Sequence, residues 1–205
     1  MITIIDYGVG NLGSIQNMLK KLGAESVIAT DPATIERASK LILPGVGAFD
    51  AGMNRLHESG LLPSLNKAAL ETRIPVVGIC LGMQLMTQGS EEGQTPGLGW
   101  VPAKTIRFVP KAGETLRIPH MGWNVVKPAK ASPALSNLDA ESRFYFVHSY
   151  HVHCDDRNDA LLQAQYGSVS FDAAFERDNI LGFQFHPEKS HRFGMALLRS
   201  FLEHY

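Results

Sequence analysis

Short apolar runs alternate with helical patterns through the first part of the chain. Ile2 to Tyr7 reads as a buried strand running into the glycine-rich turn Gly8–Ser14. Ile15, Met18, Leu19 and Leu22 then recur at helical spacing, with Gly23 as a stop signal. Ser26–Thr30 is a second strand closed by Asp31-Pro32, and Lys40–Leu43 a third that ends at Pro44-Gly45-Val46-Gly47. Helical patterns occupy about Asp50–Ser59 and Leu61–Thr72, and an apolar run from Ile74 leads to Gly78-Ile79-Cys80-Leu81-Gly82. Strand and helix in alternation predict a parallel sheet covered on both faces.

Beyond the helix that opens at Met83 the period changes. Gly89–Gly99 is polar and glycine-rich, a loop. Period-two stretches follow at Thr105–Val109, Thr115–Ile118, Trp123–Lys127, Phe144–His153, Leu161–Tyr166 and Ser168–Glu176, and Leu181–His186 reads as a last strand. Ser190–His204 is a closing amphipathic helix whose apolar side carries Met195, Leu197, Leu198, Phe201 and Leu202. No linker separates the halves, so the expectation is one domain over residues 1–205: an α/β fold with a mixed, mostly parallel central sheet, flanking helices and an antiparallel extension.

Composition narrows the function classes. A net charge of −1 on 205 residues offers no basic footprint for nucleic acid. No apolar run reaches membrane-spanning length. Two cysteines, Cys80 and Cys154, make no disulfide framework. With no signal-like segment at the start, the cytoplasm is the expected compartment.

The chemistry is concentrated at Cys80. Gly-x-Cys-x-Gly between an apolar run and a helix is the pattern of a nucleophile elbow, with sulfur as the nucleophile. The glycines leave room for a strained strand-to-helix turn, and the helix N-terminus favours an anion beside it. A free cysteine is nonetheless commonly a small core residue. In Gln184-Phe185-His186-Pro187-Glu188, His186 falls on the polar side of a strand end, and Glu188 returns to that side two positions later across an extended proline. A carboxylate so placed orients the imidazole as a base. The glycines Gly45 and Gly47 allow backbone N–H groups to turn toward an oxyanion, although a plain turn has the same pattern.

Two other patterns compete. Gly8-x-Gly10-x-x-Gly13 with Asp31 downstream meets a dinucleotide-binding fingerprint. The chain is short and its second half antiparallel where another nucleotide-binding half would repeat, so the glycines read better as a tight strand-to-helix turn. His148, His151, His153 and Cys154 crowd together, but without the spacing of a zinc enzyme. No metal and no cofactor are expected. His57, His120, His191 and His204 have no partner legible in the sequence.

Taken together, these segments resemble the class I, triad-type glutamine amidotransferases (flavodoxin-like in fold). More narrowly they resemble the glutaminase subunits of imidazole glycerol phosphate synthase in histidine biosynthesis. The elbow and His186-Pro187-Glu188 carry the broader likeness. Pro44-Gly45-Val46-Gly47, Met121-Gly122-Trp123-Asn124 and His148-Ser149-Tyr150 carry the narrower one. The resemblance implies Cys80 as nucleophile, His186 as acid/base and Glu188 as its orienting partner. It implies that Gln84, His148, Ser149 and Tyr150, with backbone at Gly45, Gly47 and Leu81, hold L-glutamine. It also implies a heterodimer with a (β/α)8-barrel cyclase subunit that receives the ammonia, contacted through Trp123, Asn124, Tyr145 and Lys189. The alternatives are a glutaminase serving another ammonia acceptor, a non-catalytic relative that keeps the fold as a docking module, and a dinucleotide-binding oxidoreductase.

Overall fold

In a computed structural model describing residues 1–205, two apolar cores are separated by a sheet whose strands bury both faces. Strands β1 (Ile2–Ile5), β2 (Ser26–Ala29), β3 (Lys40–Gly45), β4 (Val76–Cys80) and β12 (Ile180–Phe183) lie parallel in the order β2-β1-β3-β4-β12. Alternation explains the continuous apolar runs. Ile2, Ile4, Ile42, Val77 and Ile79 enter one core; Ile5, Leu41, Leu43 and Val76 enter the other. Helices α1 (Leu12–Lys21), α2 (Pro32–Glu36), α3 (Phe49–Glu58), α4 (Leu62–Asn66, continued as a π turn over Lys67–Glu71) and α6 (His191–His204) cover the sheet, and the short α5 (Leu81–Leu85) follows β4. No helix is long and apolar enough to cross a membrane.

The expected antiparallel extension is present. β11 (Val169–Arg177) pairs antiparallel with β12, then β10 (Ala160–Tyr166) with β11 and β7 (Lys127–Pro128) with β10. β5 (Ala103–Arg107) and β9 (Tyr150–Cys154) branch from β11. In addition β6 (His120–Val125) and β8 (Arg143–His148) form a separate two-stranded sheet.

Several expectations need correction. Phe144–His153 is not one strand: the chain changes sheets at Ser149, so β8 pairs with β6 while β9 pairs with β5 and β11. Thr115–Ile118 alternates in sequence but joins no ladder; the Tyr166 hydroxyl donates to the Arg117 carbonyl there, so a side chain takes the place of a strand neighbour. Asp31-Pro32 does not merely close β2. The Asp31 carboxylate accepts from the Thr34 N–H at 2.9 Å and caps α2. The last strand stops at Phe183, and Pro187–Lys189 is a 3₁₀ turn, not extended chain.

The closest packing is at the elbow. A Cβ on Gly82 would lie 1.8 Å from the Leu43 carbonyl oxygen, and one on Gly78 would lie 2.7 Å from the Met83 nitrogen. Gly13 is different: a Cβ there meets nothing within 4 Å. Gly82→Ala is therefore expected to lose about 3 kcal/mol or more of unfolding free energy through backbone overlap. Gly13→Ala, inside α1, should gain about 0.5 kcal/mol. Chemical denaturation of the two variants measures both; a tolerated Gly82→Ala would contradict the packing at the elbow.

Candidate active site

Three parallel strand ends converge on one sulfur. The β3–β4 register sets Gly45 opposite Cys80, and the β4–β12 register sets Phe183 opposite Ile79. Gln184 is thus level with Cys80 from the other flank, and His186 follows two residues later. Carboxyl ends of parallel strands are where open α/β sheets present their ligands. Cys80 has φ +54° and ψ −108°, a left-handed conformation unfavourable for a residue with a Cβ, and it directly precedes α5. Since α5 has only five residues, its dipole is a smaller source of positive potential than the sequence pattern implies. The adjacent imidazole carries more of that weight.

His186 is held from several directions. Its N–H donates to the Tyr145 carbonyl at 2.9 Å, and its own carbonyl accepts from the Ser190 hydroxyl at 2.6 Å. Phe185 stacks on Phe144 with ring centroids 3.9 Å apart. Nδ1 lies 2.7 Å from Glu188 Oε1, with both side chains buried. The Glu188 carboxylate reaches back through the 3₁₀ turn, so the expected contact forms by a bent route and not by extended alternation. His186 itself is buried, not on a polar face. Burial opposes its charge, but the Cys80 sulfur and the Glu188 carboxylate outweigh that and raise the imidazole to about 9. Nε2 has no hydrogen-bond partner.

Cys80 and His186 share the wall of a cavity of about 310 Å³ with Val46, Gly47, Leu81, Gln84, Glu92, Pro119, Val147, His148, Ser149 and Tyr150. Gly47 has φ +110°, and neither it nor Val46 donates its N–H within the chain. Gly45 is not in the wall. It sits behind it, where a Cβ would meet the Tyr7 hydroxyl at 2.7 Å and the Gly82 nitrogen at 2.9 Å. That same hydroxyl donates to the Pro44 carbonyl at 2.7 Å. Gln84 donates through Nε2 to the Tyr150 carbonyl at 3.1 Å and to Gln184 Oε1 at 3.0 Å, which leaves its oxygen as the group it can offer a ligand.

Two residues escaped the sequence reading. Glu92 brings a carboxylate to the cavity from the Gly89–Gly99 loop, where its Oε2 also accepts the Phe49 N–H at 2.8 Å. Nothing in the loop's polar composition singles it out. Gln184, fully buried, lies with Nε2 3.9 Å from Cys80 Sγ. An amide inside an otherwise apolar strand was the signal that could have found it.

Trp123 and Tyr145 are cross-strand partners with ring centroids 6.3 Å apart, and the Lys189 ammonium lies 5.8 Å from the Tyr145 ring. Asn124 is on the opposite face of β6, bonded to His120 and to the Gln165 carbonyl. His120 is also bonded to His148, His191 stacks on Trp123, and His204 Nε2 lies 2.9 Å from the Ser136 hydroxyl, so three histidines without legible partners have them in the fold. His153 is exposed while Cys154 is buried beside Asp172; no group of three or more His, Cys, Asp or Glu side chains is gathered as a metal site. In the Gly8–Gly13 turn, Gly10 packs on Pro44 and the Gly8 carbonyl accepts from Arg55, while Gly13 lacks the close helix–strand contact that the fingerprint's third glycine serves.

The sequence family described as glutamine amidotransferase class-I matches residues 3–205. The chain belongs to that family. It is 52% identical over 203 residues to imidazole glycerol phosphate synthase subunit HisH 2 of Methanococcus maripaludis, with 99% of both chains covered, and equally to the HisH 2 subunit of Pseudomonas aeruginosa. The HisH subunit of Bdellovibrio bacteriovorus is 46% identical, with 99% of this chain and all of that one covered. Among solved structures, a glutamine amidotransferase crystal structure superposes with a TM-score of 0.75 at 20% identity, covering 99% of this chain and 98% of that one. At that identity the superposition speaks for the fold alone. Each of these HisH relatives is named as a subunit of imidazole glycerol phosphate synthase.

The cavity's electrostatics give a direct measurement. The ¹⁵N titration of His186 should have its midpoint near 9 in the wild-type chain. Cys80→Ser and Glu188→Gln should each lower it, since each removes a neighbour that favours the imidazolium. The raised value means that the stability contributed by the charged imidazole is complete below 6.5 and lost as pH rises through about 9. A wild-type midpoint at or below 6.5 would refute this arrangement.

Proposed function

We propose that this protein is the glutaminase subunit of an imidazole glycerol phosphate synthase, a single amidotransferase domain over residues 1–205. It hydrolyses L-glutamine to glutamate and ammonia and passes the ammonia to a (β/α)8-barrel cyclase subunit. One observation carries the reading: a cysteine in a strained elbow shares a small cavity with a buried histidine whose far nitrogen is bonded to a carboxylate. The family match over residues 3–205 and the HisH names of full-length relatives support it.

The chemistry follows from that geometry. Cys80 Sγ, as thiolate beside the imidazolium of His186, attacks the side-chain amide carbon of glutamine. The N–H groups of Gly47 and Leu81 receive the oxyanion. His186 gives its Nε2 proton to the departing nitrogen, ammonia leaves, and a thioester remains on Cys80. His186 then takes a proton from water, the hydroxide attacks the thioester carbon, and glutamate departs as the thiolate reforms. Glu188 holds Nδ1 throughout and stabilises the imidazolium. At the other end of the substrate, Glu92 and the Gln84 oxygen are acceptors for the α-ammonium group, and the bend at Ser149-Tyr150 closes the wall.

Ammonia released to water is protonated and lost, so the cavity needs a cover. Met121, Trp123 and Val125 expose their apolar side chains along β6, and Ile118 is exposed next to Pro119 at the cavity. With Tyr145 and Lys189 they form the surface on which the cyclase docks, whereas Asn124 contributes from behind it.

Glutamate release, measured with and without the purified cyclase and its nucleotide ligand, tests the reading. Cys80→Ser should abolish release while the complex still forms, and Glu188→Gln should slow turnover by about 10²–10⁴-fold. Glu92→Gln should raise the glutamine KM with a smaller effect on kcat. Full release by Cys80→Ser would refute the assignment of the nucleophile, and stimulation by another acceptor enzyme in place of the cyclase would redirect the pathway.

A further inference from the structure

An unbroken line of hydrogen bonds runs from the back of β6 to the sulfur. Asn124 Nδ2 donates to the Gln165 carbonyl at 2.9 Å and is 3.3 Å from His120 Nε2. His120 Nδ1 is 2.9 Å from His148 Nε2, and His148 Nδ1 is 2.7 Å from the Tyr150 carbonyl. That carbonyl also accepts from Gln84, which bonds Gln184, whose amide nitrogen faces Cys80 Sγ.

The two carbonyls at the ends allow only one order of protons. A carbonyl only accepts, so His148 must carry its proton on Nδ1, and the neutral ring then accepts at Nε2. His120 must therefore carry its proton on Nδ1 and accept at Nε2, where the Asn124 amide donates. Burial keeps both rings neutral, lowering His120 to about 4 and His148 well below its ordinary range. The rings cannot easily turn. His120 is stacked between Tyr166 and Phe146, with centroids at 4.1 and 4.8 Å, and Phe108 and Phe171 pack on His148 at 5.2 and 5.3 Å.

We propose that His120, which lines no part of the glutamine cavity, is a positioning residue: through His148 it fixes the Tyr150 carbonyl and thereby the Gln84 amide at the substrate. Two neutral histidines and an asparagine are an expensive way to fill a core between aromatic rings unless their direction is used. If the sheet-changing bend at Ser149 were unsupported, Tyr150 and Gln84 would be free to shift, because the carbonyl that joins them follows a break in the ladder. The inference rests on the glutaminase reading for its kinetic arm only.

Two measurements test it. In the ¹⁵N-histidine spectrum of the full chain, His120 and His148 should both be Nδ1–H tautomers at neutral pH. In the complex with the cyclase, His120→Phe keeps the aromatic stack but removes both bonds. It should raise the glutamine KM by about fivefold, the worth of one net hydrogen bond, with a smaller change in kcat. His120→Asn, whose amide nitrogen falls near the place of Nδ1, should recover most of that loss. An Nε2–H tautomer at His148, an unchanged KM in a folded His120→Phe, or equal impairment by Phe and Asn would overturn the proposal. Should His120→Phe fail to fold, Asn124→Ala decides: a raised KM supports the chain, and an unchanged KM overturns it. A wild-type complex that releases no glutamate would sink the glutaminase reading, while the tautomers would still report on the chain.

Discussion

The site depends on the parallel pairing of β4 with β12. Those strands are a hundred residues apart in sequence, yet their register places Gln184 beside Cys80 and sets His186 just beyond. A slip of one residue would turn every side chain of β12 to the other face and remove the histidine from the cavity. The register is secured by burial on both sides: Leu181 and Phe183 pack into one core, Ile180 into the other, and Gly182 accepts Met83 and Phe175 against its bare Cα. Packing of the core and positioning of His186 are thus one constraint.

The electrostatics follow from this enclosure. An imidazole buried alone would lose its charge, and Glu188 and the sulfur reverse that preference by being buried with it. The three-residue turn at Pro187 makes the carboxylate available without another long-range contact. Behind the opposite wall the logic is inverted. His120 and His148 are buried with no carboxylate bonded to either ring, and burial keeps them neutral. Two pairs of neighbouring groups in one small volume differ in charge because of what was buried beside them.

The β6–β8 ribbon ties the cavity to the exposed surface. Its outward face shows Met121, Trp123 and Val125; its inward face begins the line of bonds that ends at Cys80. Tyr145 belongs to both, as its ring meets Trp123 and Lys189 while its carbonyl holds the His186 N–H. A partner resting on this ribbon would touch the supports of His186 and of the cavity wall at once.

Local rules were enough to read the parallel half of the sheet, the elbow at Cys80 and the pairing of His186 with Glu188, because each is written in neighbouring residues: apolar runs, glycines at a tight turn, a carboxylate two positions from an imidazole. They failed where the decisive neighbour is remote. Thr115–Ile118 alternates but has no strand to pair with, and the run from Phe144 to His153 changes sheets because its two halves find different partners. Glu92, Gln184 and the partners of His120 were invisible for the same reason, while the Gly8–Gly13 fingerprint was a local pattern without the close packing that gives it meaning. By itself, then, the sequence determined the alternating strands and helices of the parallel half, the strained turn and the pairing of His186 with Glu188, since these obey backbone sterics and short-range contact. Only the tertiary structure decided which groups share the cavity and which are charged, because burial and long-range register depend on the whole chain at once.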